Sequence, residues 1–240
     1  MLIGGFIISG VDPKKVLVMA KGPSLTVPGS LSDPILELHD GGGNLILTND
    51  DWMDSPQKTE IQNSGLAPTN NKEAAILQTL SPGQYTAIVR GVGTATGIAL
   101  VEAYDLNTAA NSKLGNISSR SFVQTADNVM IGGFVTGPNN RASTAVVVRA
   151  LGPSLTGLGV PNALTDPVLE LHDANGNTFA TNDDWQSDPS ASQVVAAGLA
   201  PKDTRESAIY FKQPPNTFTA IVHGKGTATG VGLVEIYNVN

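Results

Sequence analysis

The sequence contains no cysteine, which excludes disulfides, thiolate metal sites and thiol redox chemistry. It is also short of cations: 14 Lys and Arg stand against 21 Asp and Glu, for a net charge of −7. Clustered basic residues are what nucleic acid and anionic membrane surfaces require, so neither is expected as a partner. No apolar run reaches the roughly 18 residues of a membrane span, so no membrane insertion is expected. Met1 leads directly into patterned sequence without a basic leader or cleavage site, which reads as a cytosolic protein or as a mature or trimmed form. Charged residues make up only 15% and aromatics 5%. In their place stand 26 Gly and 15 Pro, a composition of short strands and tight turns.

The dominant feature is an internal duplication. Met1 to Asn107 is written again from Val129 to Asn240, with Ser24 matching Ser154 (154 − 24 = 130) and Trp52 matching Trp185 (185 − 52 = 133). Solenoid units run about 20 to 50 residues, so copies of this length are expected to be domains with their own cores. The expected organisation is a first repeat over 1–107, a connector over 108–128 and a second repeat over 129–240.

Each copy carries the same succession of signals. Leu2 to Ser9 is an apolar run broken by Gly4-Gly5, and Val16 to Met19 reads as a buried strand ended by Gly-Pro. Ile35 to His39 alternates, placing Leu36 and Leu38 on one face and Glu37 and His39 on the other. Gly41 to Asn44, matched by Ala174 to Asn177, predicts a hairpin turn. Ser55-Pro56 and Asp188-Pro189 predict the start of a two-turn helix that Gly65 or Gly198 stops. Ala74 to Leu80, Tyr85 to Arg90 and Ile98 to Tyr104 complete the strands. The fold class expected is all-β: two tandem antiparallel β-sandwiches, jelly-roll-like, each with one short helical turn.

Within the connector, Ile117 to Gln124 alternates as a strand and Thr125 to Asn128 reads as a turn into Val129. The second copy thus has a leading strand with no equivalent before Met1. One sandwich is then expected to be a strand short, with Ile117, Phe122 and Val123 as candidate assembly residues.

The densest polar groups are Asp40 with Asp50 and Asp51, and Asp173 with Asp183 and Asp184. Calcium takes six to eight hard oxygen ligands, so these six aspartates are candidate calcium ligands, against the plainer reading that they cap turns. The EF-hand spacing is absent. Gly22-Pro23-Ser24 and Gly152-Pro153-Ser154 lack the second glycine of a nucleophile elbow. Gly91 to Gly97 and Gly224 to Gly230 lead into strands, so they read as hairpin turns and not as phosphate loops. Trp52 and Trp185 are candidates either to plug the end of a sandwich or to stack on a sugar. Asn116-Ile117-Ser118 matches a glycosylation sequon.

Asp166 to Asn177 (Asp-Pro-Val-Leu-Glu-Leu-His-Asp-Ala-Asn-Gly-Asn), the Thr-Asn-Asp-Asp-Trp that follows, and Phe218 to Gly224 resemble the bacterial pre-peptidase C-terminal domain family. Ile-Gly-Gly-Phe followed by Gly-Pro-Ser-Leu, in both copies, is similar to tandem repeats of large extracellular bacterial proteins. The resemblance covers nearly the whole chain. It implies a jelly-roll sandwich in a secreted or surface protein, at times with bound calcium. With no assembled catalytic group, no enzyme is expected. The function expected is a non-catalytic extracellular structural protein, a homo-oligomer or polymer joined head to tail into a filament or surface layer. The alternative is a carbohydrate- or calcium-binding accessory module with a polysaccharide partner.

Overall fold

The computed structural model describes residues 1–126, 128–137 and 143–239. The chain is all-β and divides into two compact units, Met1–Ile117 and Ser118–Asn240. No helix among the described residues is long and apolar enough to cross a membrane.

The first unit contains β1 (Leu2–Gly10), β2 (Lys14–Lys21), β3 (Pro34–Asp40), β4 (Leu45–Asn49), α1 (Lys58–Asn63), β5 (Ala74–Leu80), β6 (Gly83–Gly91), β7 (Leu100–Asp105) and the first half of β8 (Ser112–Val123). Two antiparallel sheets face each other: β1, β6, β3 and β4 side by side with β8 beyond β1, and β5-β2-β7. Phe6, Ile8, Leu36, Leu38, Ala87 and Val89 from one sheet pack on Val16, Val18 and Ile76 from the other. The alternation of Leu36 and Leu38 with Glu37 and His39 reflects one face on this core and one outside. By contrast, β2 is buried on both sides. Leu17 and Met19 point away from the sandwich into a second cluster with Trp52, Ile61 and Leu77, which is why Val16 to Met19 is continuously apolar.

The second unit repeats the plan with β9 (Met130–Val135), β10 (Thr144–Leu151), α2 (Pro153–Thr156), β11 (Pro167–His172), β12 (Thr178–Asn182), α3 (Ala191–Ala196), β13 (Ser207–Gln213), β14 (Thr217–Gly224) and β15 (Gly230–Asn238). Its sheets are β12-β11-β14-β9 and β13-β10-β15, the latter with the second half of β8 beside β15. Val123, Met130, Phe134, Leu169, Leu171, Val222 and Val234 belong to its core.

The hairpin turns fall where the glycines predict them, with Gly43 at φ 81° and Gly176 at φ 80°, values that favour a residue without Cβ. The helical segments depart from expectation. A 3-10 turn occupies Trp52–Asp54 and another Trp185–Ser187, ahead of the short α-helices. Pro56 lies before α1 and does not open it, because the Ser55 hydroxyl accepts a hydrogen bond from the Gln57 amide (3.2 Å) and holds the intervening residues in a turn. The second copy gains α2 from its Gly-Pro-Ser-Leu, so one helical turn per unit is too few. The connector strand begins at Ser112, five residues before Ile117 (117 − 112 = 5). Of the turn expected after it, Asp127 lies outside the described residues.

Candidate functional site

Both acidic clusters form, with a different third member. Asp50 and Asp51 meet Asp33, and Asp183 and Asp184 meet Asp166, with one carboxylate oxygen from each residue of a triad within 4.8 Å of the others. Asp40 and Asp173 take no part. They sit at the turn of their hairpins, whereas the register Leu36↔Asn49 puts the residues after β4 beside the start of β3. Seven residues of strand separate the two ends by roughly 20 Å. Asp40 instead accepts the Gly42 and Asn44 amides, both at 2.9 Å, and Asp173 those of Asn175 and Asn177 at 2.8 and 2.9 Å. The Asn44 side-chain amide chiefly holds the Asp40 carboxyl below its ordinary range, and the Asn177 backbone amide does the same for Asp173. These are turn caps.

One lysine offsets part of the charge of each triad. Lys72 Nζ lies 2.7 Å from Asp33 Oδ2, and Lys225 Nζ lies 2.5 Å from Asp183 Oδ2 and 3.7 Å from Asp166 Oδ2. The two lysines come from unmatched positions: the counterpart of Lys72 is Arg205, which pairs with Asp203. Burial, and then the nearby Asp51 carboxylate, raises the pKa of Asp50; burial also raises that of Asp166. Asp166 Oδ1 and Asp183 Oδ1 have no hydrogen-bond partner. The oxygen donors suit calcium, and in each triad a lysine ammonium already engages one or two of the carboxylates.

The Gly-Pro-Ser motifs surround buried glutamates. Glu73 Oε1 accepts the Gly22 amide (3.1 Å), the Ser24 amide (3.0 Å) and the Ser24 hydroxyl (2.5 Å). Glu206 Oε1 accepts the Gly152 amide, the Ser154 amide and the Ser154 hydroxyl at 3.0, 2.9 and 2.6 Å. Both glutamates are fully buried. Their backbone carbonyls accept the amides of Trp52 and Trp185 at 2.8 and 2.9 Å. A Cβ at Gly22 or Gly152 would collide with the carbonyl oxygen of Leu31 or Leu164, so glycine is required for the backbone to close round the carboxylate. Neither serine meets a histidine. His39 contacts Glu37 (3.0 Å) and His172 contacts Glu170 (3.2 Å), on the outer faces of their sheets. These glutamates, like Asp33 and Asp166, were missed in the sequence; their signal was an acidic residue at the same place in both copies, heading β5 and β13 or preceding β3 and β11.

Trp52 is buried against Ile61 and Leu77, with Nε1 donating to the Asn70 carbonyl (3.1 Å). Trp185 is half-buried and packs against Val147, Val194 and Ala208. Trp52 therefore offers no ring face for a sugar, and Trp185 packs on Val194 of the short helix α3. Asn116 of the sequon is buried within β8. Of the candidate assembly residues, Phe122 is exposed and Ile117 half-buried, while Val123 is fully buried. Val123 belongs to the second unit's own core beside Met130 and Val234.

Connector strand β8 serves the two units differently. It lies beside β1 in the first unit and beside β15 in the second, and the boundary between the units falls within it, after Ile117. The matched strands in the opposite unit, β9 and β7, are edges without a further strand among the described residues. Burial records the difference. Ile131 and Val135 of β9 are 58% and 72% exposed, where their counterparts Ile3 and Ile7 in β1 are half-buried. Val101 and Ala103 of β7 are half-buried, where Val234 and Ile236 of β15 are buried to 0% and 6% exposure.

No protein-family model matches the chain, and no curated protein matches it. Among solved structures, the major capsid protein P2 of bacteriophage PM2 aligns over 98% of this chain and 90% of its own, at 10% identity and a TM-score of 0.28. A putative secreted protein from Eubacterium rectale aligns over 98% of this chain and 68% of its own, at 11% identity and TM-score 0.24. The Sulfolobus Turreted Icosahedral Virus structure aligns over 97% and 85%, at 9% identity and TM-score 0.26. At these scores the alignments extend neither function nor assembly to this chain.

Proposed function

We propose that this chain is a non-catalytic structural module of an extracellular array, whose sandwiches join head to tail through open sheet edges. The observation that supports the reading is the pair of uncovered edges, β7 in the first unit and β9 in the second, each matched by a covered strand in the other copy. An edge strand presents a row of backbone donors and acceptors to any further strand, and proteins that stay monomeric blunt such edges with lysine, proline or bulges. The β9 sequence, Met-Ile-Gly-Gly-Phe-Val, carries none of these. The two edges belong to different sheets of different units, so a contact between them is heterologous, and heterologous contacts that do not close give linear arrays. Secretion rests on the resemblance of the repeat to extracellular bacterial domains. The serine hydroxyls engaged by buried glutamates and the buried Trp52 favour this reading over catalysis or sugar binding. Multi-angle light scattering and negative-stain electron microscopy of the purified chain test it: molar mass rises with concentration and linear particles form. A constant monomer mass at several mg/mL would overturn self-association of the chain.

A further inference from the structure

We infer that the β9 and β7 edges are receptors for one kind of strand: a connector segment with the pattern of β8, contributed by another repeat. The inference rests on the array reading above and specifies what fills its joints.

The internal repeat supplies the occupant. In the first unit β8 lies beside β1, where Gly115 approaches Ile7 and Ser9; in the second it lies beside β15, where Val123 approaches Gly232. Strand β9 is the second copy of β1, sharing Ile-Gly-Gly-Phe at Ile3 to Phe6 and Ile131 to Phe134. Strand β7 is the first copy of β15, with Val101, Ala103 and Tyr104 at the positions of Val234, Ile236 and Tyr237. The other sheet edges carry no such information, because β4 and β12, and likewise β5 and β13, are edges in both copies. Among the described residues, β7 and β9 alone lack a neighbour that the matched strand possesses.

The backbone phase agrees. The Thr136 amide donates to the Asn216 carbonyl (2.9 Å), which makes Phe134, Gly132 and Met130 the residues bonded to β14 and turns the backbone groups of Ile131, Gly133 and Val135 outward. In β1 the matched outward residues are Ile3, Gly5 and Ile7, on the side of β8. Likewise, the Leu106 amide donates to Lys15 (2.9 Å) and the Val239 amide to Ala145 (3.0 Å). Val101 and Ala103 therefore face out from β7 as Val234 and Ile236 face β8 from β15. A strand of β8 type would meet β9 with its first half and β7 of a following repeat with its second half. It would also cover Val135 as β8 covers Ile7. Glycine is kept at Gly4 and Gly132, where an added Cβ would lie 2.8 Å from Val101 and 3.2 Å from Val234, so both copies hold their two sheets together in the same way behind the edge.

The test is the full chain with a second copy of residues 108–128 joined after Asn240, compared with the unmodified chain and with a scrambled extension. Tethering makes the first pairing intramolecular, at an effective concentration near millimolar for a short linker. Hydrogen exchange at Ile131, Gly133 and Val135 is expected to slow at least tenfold. The molar mass of the extended chain is expected to grow at a concentration at least tenfold below any at which the unmodified chain associates. An extension ending at Ile117 is expected to protect β9 without lengthening particles. If the native extension protects β9 no better than the scrambled one, the inference falls, even where the unmodified chain polymerises by direct edge contact. If the unmodified chain stays monomeric while the extended one grows, the inference stands and it is self-association of the chain as given that fails.

Discussion

Replacing Glu206 with alanine tests whether Gly-Pro-Ser is a structural cradle. The substitution removes the shared acceptor of three hydrogen bonds, from the Gly152 amide, the Ser154 amide and the Ser154 hydroxyl. A buried donor left without a partner costs about 1 to 3 kcal/mol. The Gly152 bond is fully buried and the two Ser154 bonds are partly so, so water recovers some of the loss at the serine. The expected destabilisation is about 3 to 5 kcal/mol, which for a unit of this size lowers its melting temperature by roughly 10 to 20 °C. Glu206→Gln keeps an oxygen acceptor but loses the charge, and charge-assisted bonds are about twice as strong as neutral ones; a loss of about 1 to 2 kcal/mol is expected. Ser154→Ala removes one bond and falls in the same range. Differential scanning calorimetry reads the change, and the fluorescence of Trp185, whose amide binds the Glu206 carbonyl, assigns it to the second unit. A Glu206→Ala protein melting within 2 °C of the parent would refute the cradle.

Lys14 is fully buried with its ammonium 2.9 Å from Asp105, whereas the second copy has Thr144 and Asn238 at these positions. Lys14→Thr alone is expected to cost about 2 to 3 kcal/mol in urea unfolding, and Lys14→Thr with Asp105→Asn less than about 1, because removing both charges leaves none uncompensated. Burial, aided by the Glu102 and Glu235 carboxylates, pushes the hydroxyls of Tyr104 and Tyr237 up to about 12. Both folded values exceed the unfolded one near 10, so the contribution is complete below pH 10 and is lost as pH rises towards 12. The melting temperature should fall across that window, and Tyr104→Phe with Tyr237→Phe should flatten the fall. Val123→Asp should unfold the second unit while Phe122→Asp leaves its melting within about 1 kcal/mol of the parent, the contrast being read by calorimetry.

The strands were legible because their cause is local. Alternation in β3 and β11 and glycines at positive φ in the hairpin turns are visible within a few residues of sequence. The double burial of β2 was legible too, as an unbroken apolar run. The site residues were not, because their grouping depends on pairing. Asp40 is nearer to Asp50 in sequence than Asp33 is, yet the antiparallel return of β4 brings Asp50 and Asp51 to Asp33. Glu73 and Glu206 head apolar strands and look like residues facing water; only the closing of the Gly-Pro-Ser turn buries them. The helix start failed for a comparable reason. Ser55-Pro56 has the residues of a cap, but the preceding 3-10 turn, fixed by the Trp52 amide on Glu73, uses the space a first helical turn would need.

Comparing the two copies separates what the sandwich requires from what is free to change. At several places the carboxylate is retained and its cation comes from elsewhere. The triad of Asp33, Asp50 and Asp51 takes Lys72, while that of Asp166, Asp183 and Asp184 takes Lys225. Glu102 pairs with Lys21 from the end of β2, while its counterpart Glu235 pairs with Arg149 from the middle of β10. A long cationic side chain can reach a fixed carboxylate from several backbone positions, so the cation's origin is loosely constrained. The triad carboxylates flank β3, β4, β11 and β12, and Glu102 and Glu235 hold matched positions within β7 and β15, so their positions are set by the fold. The same distinction applies to β8. Its halves fill edges that the repeat fixes by geometry, and what the geometry asks of the occupant is an extended backbone in the right phase, with small or apolar side chains towards the core. On the inference drawn above, a strand from another repeat would meet that demand as well as one from the same chain, and the joint would be transferable from unit to unit.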